Sequence, residues 1–440
     1  MYLTVYTNAD LIPIAQPGVL RGHDLFVDAG TIVRIVLTGG EIPEGAAVFD
    51  CAGKTIVPGL IDAHMHLLTE TAFNDLKLMI AHGVTAIRNM WGNQAVDPQK
   101  ELDTFGIKCH LEGGQIPGPT LVNMSRILDG PRVLQPSSRR ITTPAAARLM
   151  VEQAVREGAD QVKVYSFLQP EVLRAIHREA AWHGLRIAGH KPFDCDAHEF
   201  FSLAHSVEHT VTFEPEHLDA LIASDCRWVP TIGIERQVDV NLGRDSTGFF
   251  DRYADSRKYL DPMWADLLEG IQAMAASDPE AYERMFLPLK FDYEVAREKI
   301  RRFVAESGRL PATGSDNNPL ACMGLAIHAE VACLTECGLT NAQALEAATL
   351  EAARVLELED RKGSLEVGKD ADFVILDADP LEDVHNTTAI SGVVLRGEHM
   401  EREALDGLLG QVEEANRKKR EEMQARGESS PELSEYMSEA

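Results

Sequence analysis

Two histidines separated by one residue give the first indication of chemistry in this sequence. His64 and His66 lie in the segment Asp62-Ala63-His64-Met65-His66, which follows the apolar run 56–61. Alternate side chains of a β-strand point to the same face, so the two imidazoles are expected to project together. Two neutral imidazoles in this arrangement can bind one Zn2+ at about 2.0–2.1 Å each. A His-x-His pair on an exposed strand is the alternative that the segment alone leaves open.

A lysine within an apolar strand gives the second indication. Lys163 lies between Val162 and Val164, where burial disfavours a free ammonium group. Capture of CO2 as a carbamate would convert this side chain into an anionic ligand able to bridge two metal ions. A lysine at an exposed strand end, paired with a carboxylate, is the simpler alternative. Tyr165 shares the face of Lys163 and is either a hydrogen-bond donor to substrate or a structural tyrosine.

Three further residues end predicted strands, at the carboxyl ends where α/β barrels place their active sites. They are His190, His209 and Asp316. Asp316 can complete the coordination of a metal ion and relay a proton, or it can cap a helix that opens near Pro319. Glu208, beside His209, is interpreted as an outward-facing residue or as one that orients a ligand.

The elements that must position these residues are eight β-like runs separated by helical periodicity. The runs are Ile56–His66, Val84–Arg88, Thr120–Met124, Gln161–Ser166, Arg186–His190, Ser206–His209, Arg227–Thr231 and Leu310–Asp316. The clearest helices are Ala145–Glu157, Pro170–His183 and Ala326–Cys337. Strands that alternate with helices predict an α/β protein with a parallel sheet, and eight strands close a (β/α)8 TIM barrel. One mouth of that barrel would gather all the candidate residues.

Short β-like segments at both ends of the chain predict a second domain. Residues 1–56 and 360–405 are expected to form a composite β-sandwich beside the barrel of residues 57–359. Within the barrel, 235–302 is a long helical connection, interpreted as a cap near the mouth because connections of this length are usually functional. Residues 406–440 are predicted to form a charged helical tail with a disordered end.

Composition limits the partners and the location that we expect. The 440 residues include 69 Asp and Glu against 42 Lys and Arg, a formal net charge of −27. An acidic chain repels phosphate backbones and anionic lipid surfaces, so neither nucleic acid nor membrane is an expected partner. No apolar run reaches the about 18 residues of a spanning helix, and the N-terminus lacks a basic signal-peptide region. Seven cysteines without a Cys-x-x-Cys pair favour reduced thiols and a cytoplasmic location.

Taken together, these residues resemble the amidohydrolase superfamily, in particular members whose binuclear metal centre is bridged by a carbamylated lysine. Within it, the sequence is most similar to the branch related to imidazolonepropionase and Xaa-Pro dipeptidase. The resemblance covers nearly the whole chain. Its further marks are Pro58-Gly59-Leu60-Ile61-Asp62, His82-Gly83-Val84-Thr85, Ile116-Pro117-Gly118-Pro119-Thr120, Ala347-Ala348-Thr349 and the segment Gly363–Phe373. One departure is Asn89 after Arg88, where the resemblance leads us to expect aspartate; it bears on hydrogen bonding around the ligands rather than on metal binding.

The resemblance implies a set of ligands and a reaction. The implied metal ligands are His64, His66, Lys163, His190, His209 and Asp316. The first two histidines and the aspartate would hold one divalent ion, the other two histidines the second, with Zn2+ the favoured metal. The carboxylated lysine and a hydroxide would bridge the ions, and the hydroxide would attack a carbonyl. Asp316, the catalytic residue, would carry a proton to the leaving nitrogen. The implied reaction is hydrolysis of a C–N bond in an amide, a dipeptide, an N-acyl amino acid or a lactam.

Two alternative functions remain open at this point. A mononuclear relative, such as an imidazolonepropionase-like cyclic amidohydrolase or a deaminase, would use His64, His66, His209 and Asp316 without a bridging lysine. A catalytically inactive scaffold that has lost its ligands is less favoured, because all six candidate ligands are present.

The sequence does not rank the residues that would recognise a substrate. Arg88, Tyr165 and Arg236 are candidates for binding a carboxylate or a side chain of a small-molecule substrate. The resemblance also leads us to expect a symmetric homo-oligomer.

Overall fold

The computed structural model describes residues 3–67, 71–92, 103–135 and 137–426. Their strands are β1 (Thr4–Leu11), β2 (Leu20–Asp28), β3 (Thr31–Leu37), β4 (Ala47–Asp50), β5 (Thr55–Pro58), β6 (Leu60–Met65), β7 (Val84–Asn89), β8 (Thr120–Asn123), β9 (Leu128–Asp129), β10 (Arg139–Arg140), β11 (Gln161–Val164), β12 (Arg186–Gly189), β13 (Ser206–Glu208), β14 (Arg227–Val229), β15 (Phe373–Leu376), β16 (Ile390–Leu395) and β17 (Glu398–Glu401). Their α-helices are α1 (Ala72–Ala81), α2 (Thr104–Glu112), α3 (Pro144–Glu157), α4 (Pro170–Trp182), α5 (Ala197–Leu203), α6 (Leu218–Ile222), α7 (Ile232–Asn241), α8 (Pro262–Ser277), α9 (Pro279–Met285), α10 (Tyr293–Ser307), α11 (Leu325–Glu336), α12 (Asn341–Glu346), α13 (Ala352–Val355) and α14 (Arg402–Arg426).

Both ends of the chain contribute to one mixed sheet of eight strands. Its order is β17-β16-β15-β5-β1-β2-β3, and β4 pairs with β1. A separate apolar cluster lies on this sheet and includes Tyr6, Leu25, Ile56, Phe373 and Val394. The described terminal strands form one sheet, so they do not confirm the two facing sheets of the predicted β-sandwich.

The strands between the termini form two parallel sheets instead of the closed barrel that we expected. One sheet has the order β6-β7-β8 and the other β10-β9-β11-β12-β13-β14, and an isolated bridge between Met124 and Gln161 joins them. The eighth predicted strand, Leu310–Asp316, forms no ladder. Single hydrogen bonds hold it instead, from the amide of Ala312 to the carbonyl of Trp228 and from the amide of Asp316 to the carbonyl of His64.

The local backbone explains why this segment is not a regular strand. Asp316 and Asn317 have φ angles of 47° and 55°, in the left-handed region that an extended ladder does not use. Gly314 packs so closely on β6 that a Cβ would lie 2.6 Å from the Cβ of His64. The segment therefore occupies the place of an eighth strand between β14 and β6, and it carries Asp316 towards His64.

The predicted strand Ile56–His66 is divided between two sheets. β5 pairs with β1 and β15 in the terminal sheet, whereas β6 pairs with β7. Gly59 separates the two strands, and a Cβ there would lie 2.1 Å from the Thr85 Oγ1 atom. The chain passes from one sheet to the other at a point where only glycine fits.

The three helices that we predicted most clearly are confirmed as α3, α4 and α11. Helix α3 shows why the sequence defines its ends. The hydroxyl of Thr143 accepts a hydrogen bond from the Ala146 amide, Pro144 occupies the first turn, and Gly158 ends the helix with a φ of 84°. A side-chain cap, an N-terminal proline and a left-handed glycine are the usual signals of helix termini.

The connection 235–302 is mainly helical and packs against α11 and α14. It contains most of α7, the 3-10 helix Phe249–Tyr259, helices α8 and α9, and the first part of α10. Helix α14 contacts this connection at residues 259–261. The Asn416 side-chain amide donates to the carbonyls of Tyr259 and Leu260, at 3.0 Å each, and Lys419 Nζ lies 2.6 Å from Asp261 Oδ2.

The end of the predicted C-terminal tail, residues 427–440, lies outside the described residues. Among the helices that are described, none combines the length and apolarity needed to cross a membrane.

Candidate metal centre

Three side chains from separate elements converge on one point. His64 lies on β6, His209 follows β13, and Asp316 ends the irregular segment beside β14. Each offers one ligand-capable atom, and these three atoms lie within 4.8 Å of one another. Asp316 Oδ1 is 3.5 Å from His64 Nε2, and Asp316 Oδ2 is 3.7 Å from His209 Nδ1. Two imidazoles and a carboxylate at this spacing form a possible metal site.

His66 joins this cluster through Asp316. Its Nε2 atom lies 2.7 Å from Asp316 Oδ1, and its ring stands edge-on to Trp91. The side-chain amide of Asn317 fixes the backbone of His66 from both sides. Its Oδ1 accepts from the His66 amide at 2.8 Å, and its Nδ2 donates to the His66 carbonyl at 2.7 Å.

Glu208 faces inward and orients His64. His64 Nδ1 lies 2.8 Å from Glu208 Oε2, and both side chains are fully buried. Arg88 and the hydroxyl of Ser206 donate to the other carboxylate oxygen, at 2.8 and 2.6 Å. The interpretation of Glu208 as outward-facing is therefore wrong, and its orienting role is supported. A proton held on Nδ1 by this carboxylate leaves the Nε2 lone pair of His64 free to bind a metal.

His190 and His209 are each held by a hydroxyl group. His190 Nδ1 lies 2.9 Å from Ser166 Oγ, and His209 Nδ1 lies 2.7 Å from Thr231 Oγ1. The ring of Tyr165 packs against that of His190 with centroids 3.8 Å apart. The centroid of the His209 ring is 4.5 Å from that of His64 and 4.9 Å from that of His190. His209 therefore lies between the cluster around Asp316 and the site of His190.

The side chain of Lys163 is buried beside the ring of Tyr165. The residue is 1 % exposed, and its Nζ atom lies 5.6 Å from the centroid of the Tyr165 ring. Its ammonium group makes no hydrogen bond or ion pair with any residue that the structure describes. Burial lowers the pKa of the Lys163 ammonium group to about 8. The positive charge of Arg88 also lowers this pKa, whereas the negative charge of Glu208 raises it. The structure brings Lys163 to the same interior but shows no direct contact with the other candidate ligands.

Burial also sets the protonation of the histidines. Burial lowers the pKa of His64 and of His190 well below the usual value, and it lowers the pKa of His209 to about 4. Burial alone would raise the pKa of Asp316, but the charge of His209 and the hydrogen bond from His66 hold that pKa below its usual value. At neutral pH the three imidazoles are neutral and the carboxylate is ionised, which are the forms that bind metal ions.

Several histidine ring nitrogens near the cluster have no hydrogen-bond partner among the described residues. Three of them are buried and have no hydrogen-bond partner among the described residues: His64 Nε2, His66 Nδ1 and His190 Nε2. A buried polar atom without a partner costs about 1–3 kcal/mol, and a metal ion at the nitrogens facing the cluster would remove that cost. Imidazole nitrogens and a carboxylate form a donor set that suits Zn2+. The residues present therefore fit a divalent metal.

The candidates for substrate recognition occupy different positions. Arg88 is fully buried and donates four hydrogen bonds to protein groups, including the carbonyl of Ala63 and Glu208. Arg236 is 3 % exposed and pairs with Asp245 and Glu336. Both arginines are buried and bonded to other protein groups, so their placement does not favour contact with substrate. Tyr165 is partly exposed beside His190 and remains a candidate.

Asp316 does not cap a helix. The next helix, α11, begins at Leu325 and its N-terminal cap residue is Gly324. The alternative in which Asp316 caps a helix near Pro319 is therefore wrong. Asn89, the departure from the expected aspartate, accepts from the amides of Leu67 and Trp91 and contacts none of the candidate ligands directly.

Several residues that position the ligands were not indicated by the sequence. They are Ser166, Thr231 and Asn317, which hold His190, His209 and His66. Asp62 also contributes, because its Oδ1 atom accepts from the amides of His64 and Ser315 and so ties β6 to the segment that carries Asp316. Short polar residues after strands are common, so only the folded contacts distinguish Ser166, Thr231 and Asn317.

Comparison with known proteins adds independent support. The model of the amidohydrolase family matches residues 55–400. A Mus musculus protein named probable imidazolonepropionase is 25% identical over 405 residues, which are 86% of this chain and 87% of that relative. A crystal structure of a Xaa-Pro dipeptidase with bound methionine superposes with a TM-score of 0.69 at 19% identity, covering 91% of this chain and 100% of the other. The bottromycin amidohydrolase AH reaches 0.70 at 23% identity, covering 94% and 90%.

These findings confirm the family resemblance and are consistent with the branch related to imidazolonepropionase and Xaa-Pro dipeptidase. The structural likeness supports an α/β barrel fold, here in a form whose eighth position is filled by an irregular segment. The matched region contains every candidate ligand. The family model matches well over half of the 440 residues of this chain. The chain therefore belongs to the amidohydrolase family, whose members are hydrolases that act on carbon–nitrogen bonds.

Proposed function

We propose that this protein is a metal-dependent hydrolase that cleaves a C–N bond in a small amide, dipeptide, N-acyl amino acid or lactam. The observation that carries the proposal is the convergence of His64, His209 and Asp316 within 4.8 Å. The unpartnered nitrogens of His64 and His190 add to it, since they are buried at the same place.

In the favoured form of the proposal, the centre holds two divalent ions, with Zn2+ as the metal. His64, His66 and Asp316 would hold one ion, and His190 with His209 the other. A carboxylated Lys163 would supply the bridging anionic ligand. Its burial and its lack of a hydrogen-bond acceptor among the described residues support this role, because a buried ammonium group that makes no direct ion pair is costly.

The chain's own residues then perform three tasks. When bound, divalent ions polarise a carbonyl and make water a stronger nucleophile at neutral pH. Glu208 holds the proton on His64 Nδ1 and so fixes the tautomer of that ligand. Asp316, ionised and within reach of three imidazoles, is placed to accept a proton and return it to the leaving nitrogen. Tyr165 stands beside His190 as a candidate hydrogen-bond donor to the substrate.

A mononuclear cyclic amidohydrolase or deaminase is the second candidate. Two observations favour it. The three atoms that meet within 4.8 Å come from His64, His209 and Asp316, all of which this candidate would use. The Mus musculus relative, which matches 86% of this chain, carries the name of probable imidazolonepropionase. The two candidates differ in the number of metal ions per chain.

The experiment that tests the proposal combines metal analysis with a substrate screen. The purified protein would be loaded with Zn2+, Mn2+ or Co2+ and offered N-acyl amino acids, dipeptides and lactams. We expect hydrolysis that chelators abolish, with two metal ions per chain by elemental analysis. One ion per chain would favour the mononuclear candidate, and metal-independent or absent turnover would contradict both.

Substitution of Asp316 is the matching test of mechanism. Asp316→Asn keeps the shape of the side chain but removes its charge and its basicity. We expect kcat to fall by about 10³-fold, within the range of general acid–base contributions. Asp251→Asn is the matched control, because Asp251 is exposed. An Asp316→Asn variant that folds and retains wild-type turnover would contradict the role of this carboxylate.

A further inference from the structure

A cavity of about 250 Å³ opens directly beside the candidate metal centre. Its lining includes His66, Asp316 and Asn317. It also includes residues of α1, of helix α8 in the helical connection and of the end of the 3-10 helix Phe249–Tyr259. A group attached to the scissile bond at the metal centre would extend into this space.

The walls of the cavity are mainly apolar. The apolar and aromatic lining residues are Leu78, Trp91, Tyr259, Leu260, Trp264, Leu267, Leu268, Ile271, Pro319 and Met323. An apolar cavity of roughly 150 Å³ is large enough to bind benzene, so this one has room for a substituted ring or a branched alkyl chain. Apolar groups transferred from water into such walls gain about 25 cal/mol per Å² of buried surface.

The polar groups of the cavity disfavour an anionic occupant. No lysine or arginine lines it within the described ranges, whereas the carboxyl groups of Asp75, Asp261 and Asp316 do. Asp261 is paired with Lys419, and Asp75 accepts a hydrogen bond from Thr71. Burial raises the pKa of Asp75 to about 7, which shows how strongly this environment opposes a carboxylate. A carboxylate of the substrate would meet both the same desolvation and like charge.

We infer that this cavity selects the substrate, and that the substrate carries an uncharged aromatic or branched aliphatic group next to the scissile C–N bond. The inference rests on the proposed function and narrows it to amides and N-acyl compounds with such a group. It disfavours substrates that would place a free carboxylate in this space.

Three amide probes test the inference by calorimetry on the metal-loaded protein. They are 4-methylbenzamide, 4-carboxybenzamide and acetamide, which share the amide but differ in the ring and in its remote charge. We expect 4-methylbenzamide to bind at least tenfold more tightly than either of the others. Comparable affinity for 4-carboxybenzamide would overturn the inference.

A pair of variants on α8 locates the binding. Leu267 is half-buried and lines the cavity, whereas Glu269, two residues along the same helix, is exposed and does not. Leu267→Trp should fill the space and weaken binding of 4-methylbenzamide at least tenfold, while Glu269→Trp should leave it unchanged. Unchanged binding by the Leu267→Trp variant would overturn the inference.

Failure of the inference and failure of the proposed function give different results. If 4-methylbenzamide binds as expected but no C–N substrate is hydrolysed, the proposed hydrolase is contradicted and the cavity assignment stands. If C–N substrates are hydrolysed but 4-methylbenzamide binds no more tightly than acetamide or 4-carboxybenzamide, the hydrolase stands and the inference is overturned.

Discussion

The two halves of the candidate metal centre differ in how completely the protein alone holds them. Around Asp316 the groups already meet, with its Oδ1 atom 2.7 Å from His66 Nε2 and 3.5 Å from His64 Nε2. On the other side, His190 Nε2 has no hydrogen-bond partner, and the Lys163 ammonium pairs with no carboxylate, among the residues that the structure describes. The first half therefore holds its carboxylate in direct contact with His66, whereas Lys163 forms no ion pair with a carboxylate of the described residues.

This difference indicates which part of the centre depends most on an added group. An uncompensated buried polar atom raises the free energy of the folded protein by about 1–3 kcal/mol, and a buried ammonium group by more. A carboxylated Lys163 would supply an anion, and a metal ion would bind the free nitrogen of His190. Both halves contain a buried ring nitrogen that a metal ion would satisfy, and the Lys163 half would in addition gain an anion in contact with the lysine.

Among the substitutions that test the difference between the two halves, we expect that of Lys163 to change metal content and turnover most. Lys163→Met keeps most of the length of the side chain but cannot carry CO2. We expect metal content to fall from two ions to one per chain. We expect turnover to fall at least about 100-fold, since a second ion contributes several kcal/mol to stabilising the transition state. Elemental analysis and steady-state kinetics measure both quantities.

The control and the stability of this variant separate function from folding. Lys290→Met changes an exposed lysine and should alter neither quantity. The metal-free Lys163→Met protein should melt no lower than the metal-free wild type, because the change removes a buried cation without a partner. Unchanged metal content and turnover would show that the lysine half holds no metal, and would leave the mononuclear candidate.

Glu208→Gln tests the Asp316 half through the orientation of His64. The substituted side chain would turn an amide donor towards His64 Nδ1, which would then have to accept, with the ring proton moved to Nε2 facing the cluster. We expect metal affinity at this half to fall about 10–100-fold, as for other groups that orient ligands. Turnover at saturating metal should change much less. Metal titration followed by kinetics separates these effects, with the exposed Glu216→Gln as control.

Loss of turnover at saturating metal, without loss of affinity, would contradict this role for Glu208. The variant also leaves the Arg88 guanidinium without its carboxylate partner. Its thermal stability should therefore be measured beside that of the wild type, so that unfolding is not mistaken for weak metal binding.

The sequence predicted the strand ends of the site better than their closure into a barrel. His190 and His209 directly follow β12 and β13, as the runs 186–190 and 206–209 indicated. Apolar runs and the alternation of apolar with polar residues locate strand ends, because both patterns depend on the burial of side chains within a single strand. The run 310–316 is predicted as a strand in the same way, but its backbone is set by close packing of Gly314 on His64 and by the left-handed conformation of Asp316. Those constraints come from contacts distant in the chain.

The same limit applies to the residues around the ligands. The sequence makes Glu208 a candidate for orienting a ligand only because it precedes His209, yet it contacts His64, which lies 144 residues earlier. Asn317, the partner of His66, has no feature in the sequence beyond its place after Asp316. Residue type and spacing indicate which side chains can bind a metal. The hydrogen bonds that hold them join elements whose proximity only the folded chain establishes.

Ser166→Ala gives the smallest expected effect and tests whether the two halves are separate. Ser166 Oγ contacts His190 Nδ1 at 2.9 Å, but the ring of Tyr165, with its centroid 3.8 Å away, also holds the imidazole in place. We therefore expect metal affinity of the Lys163 half to fall by less than about tenfold, and that of the Asp316 half to be unchanged. A two-site metal titration measures both, with Ser202→Ala as the control because Ser202 is exposed. If Ser166→Ala weakens both halves equally, the centre binds its metals as one unit and the distinction between the halves is wrong.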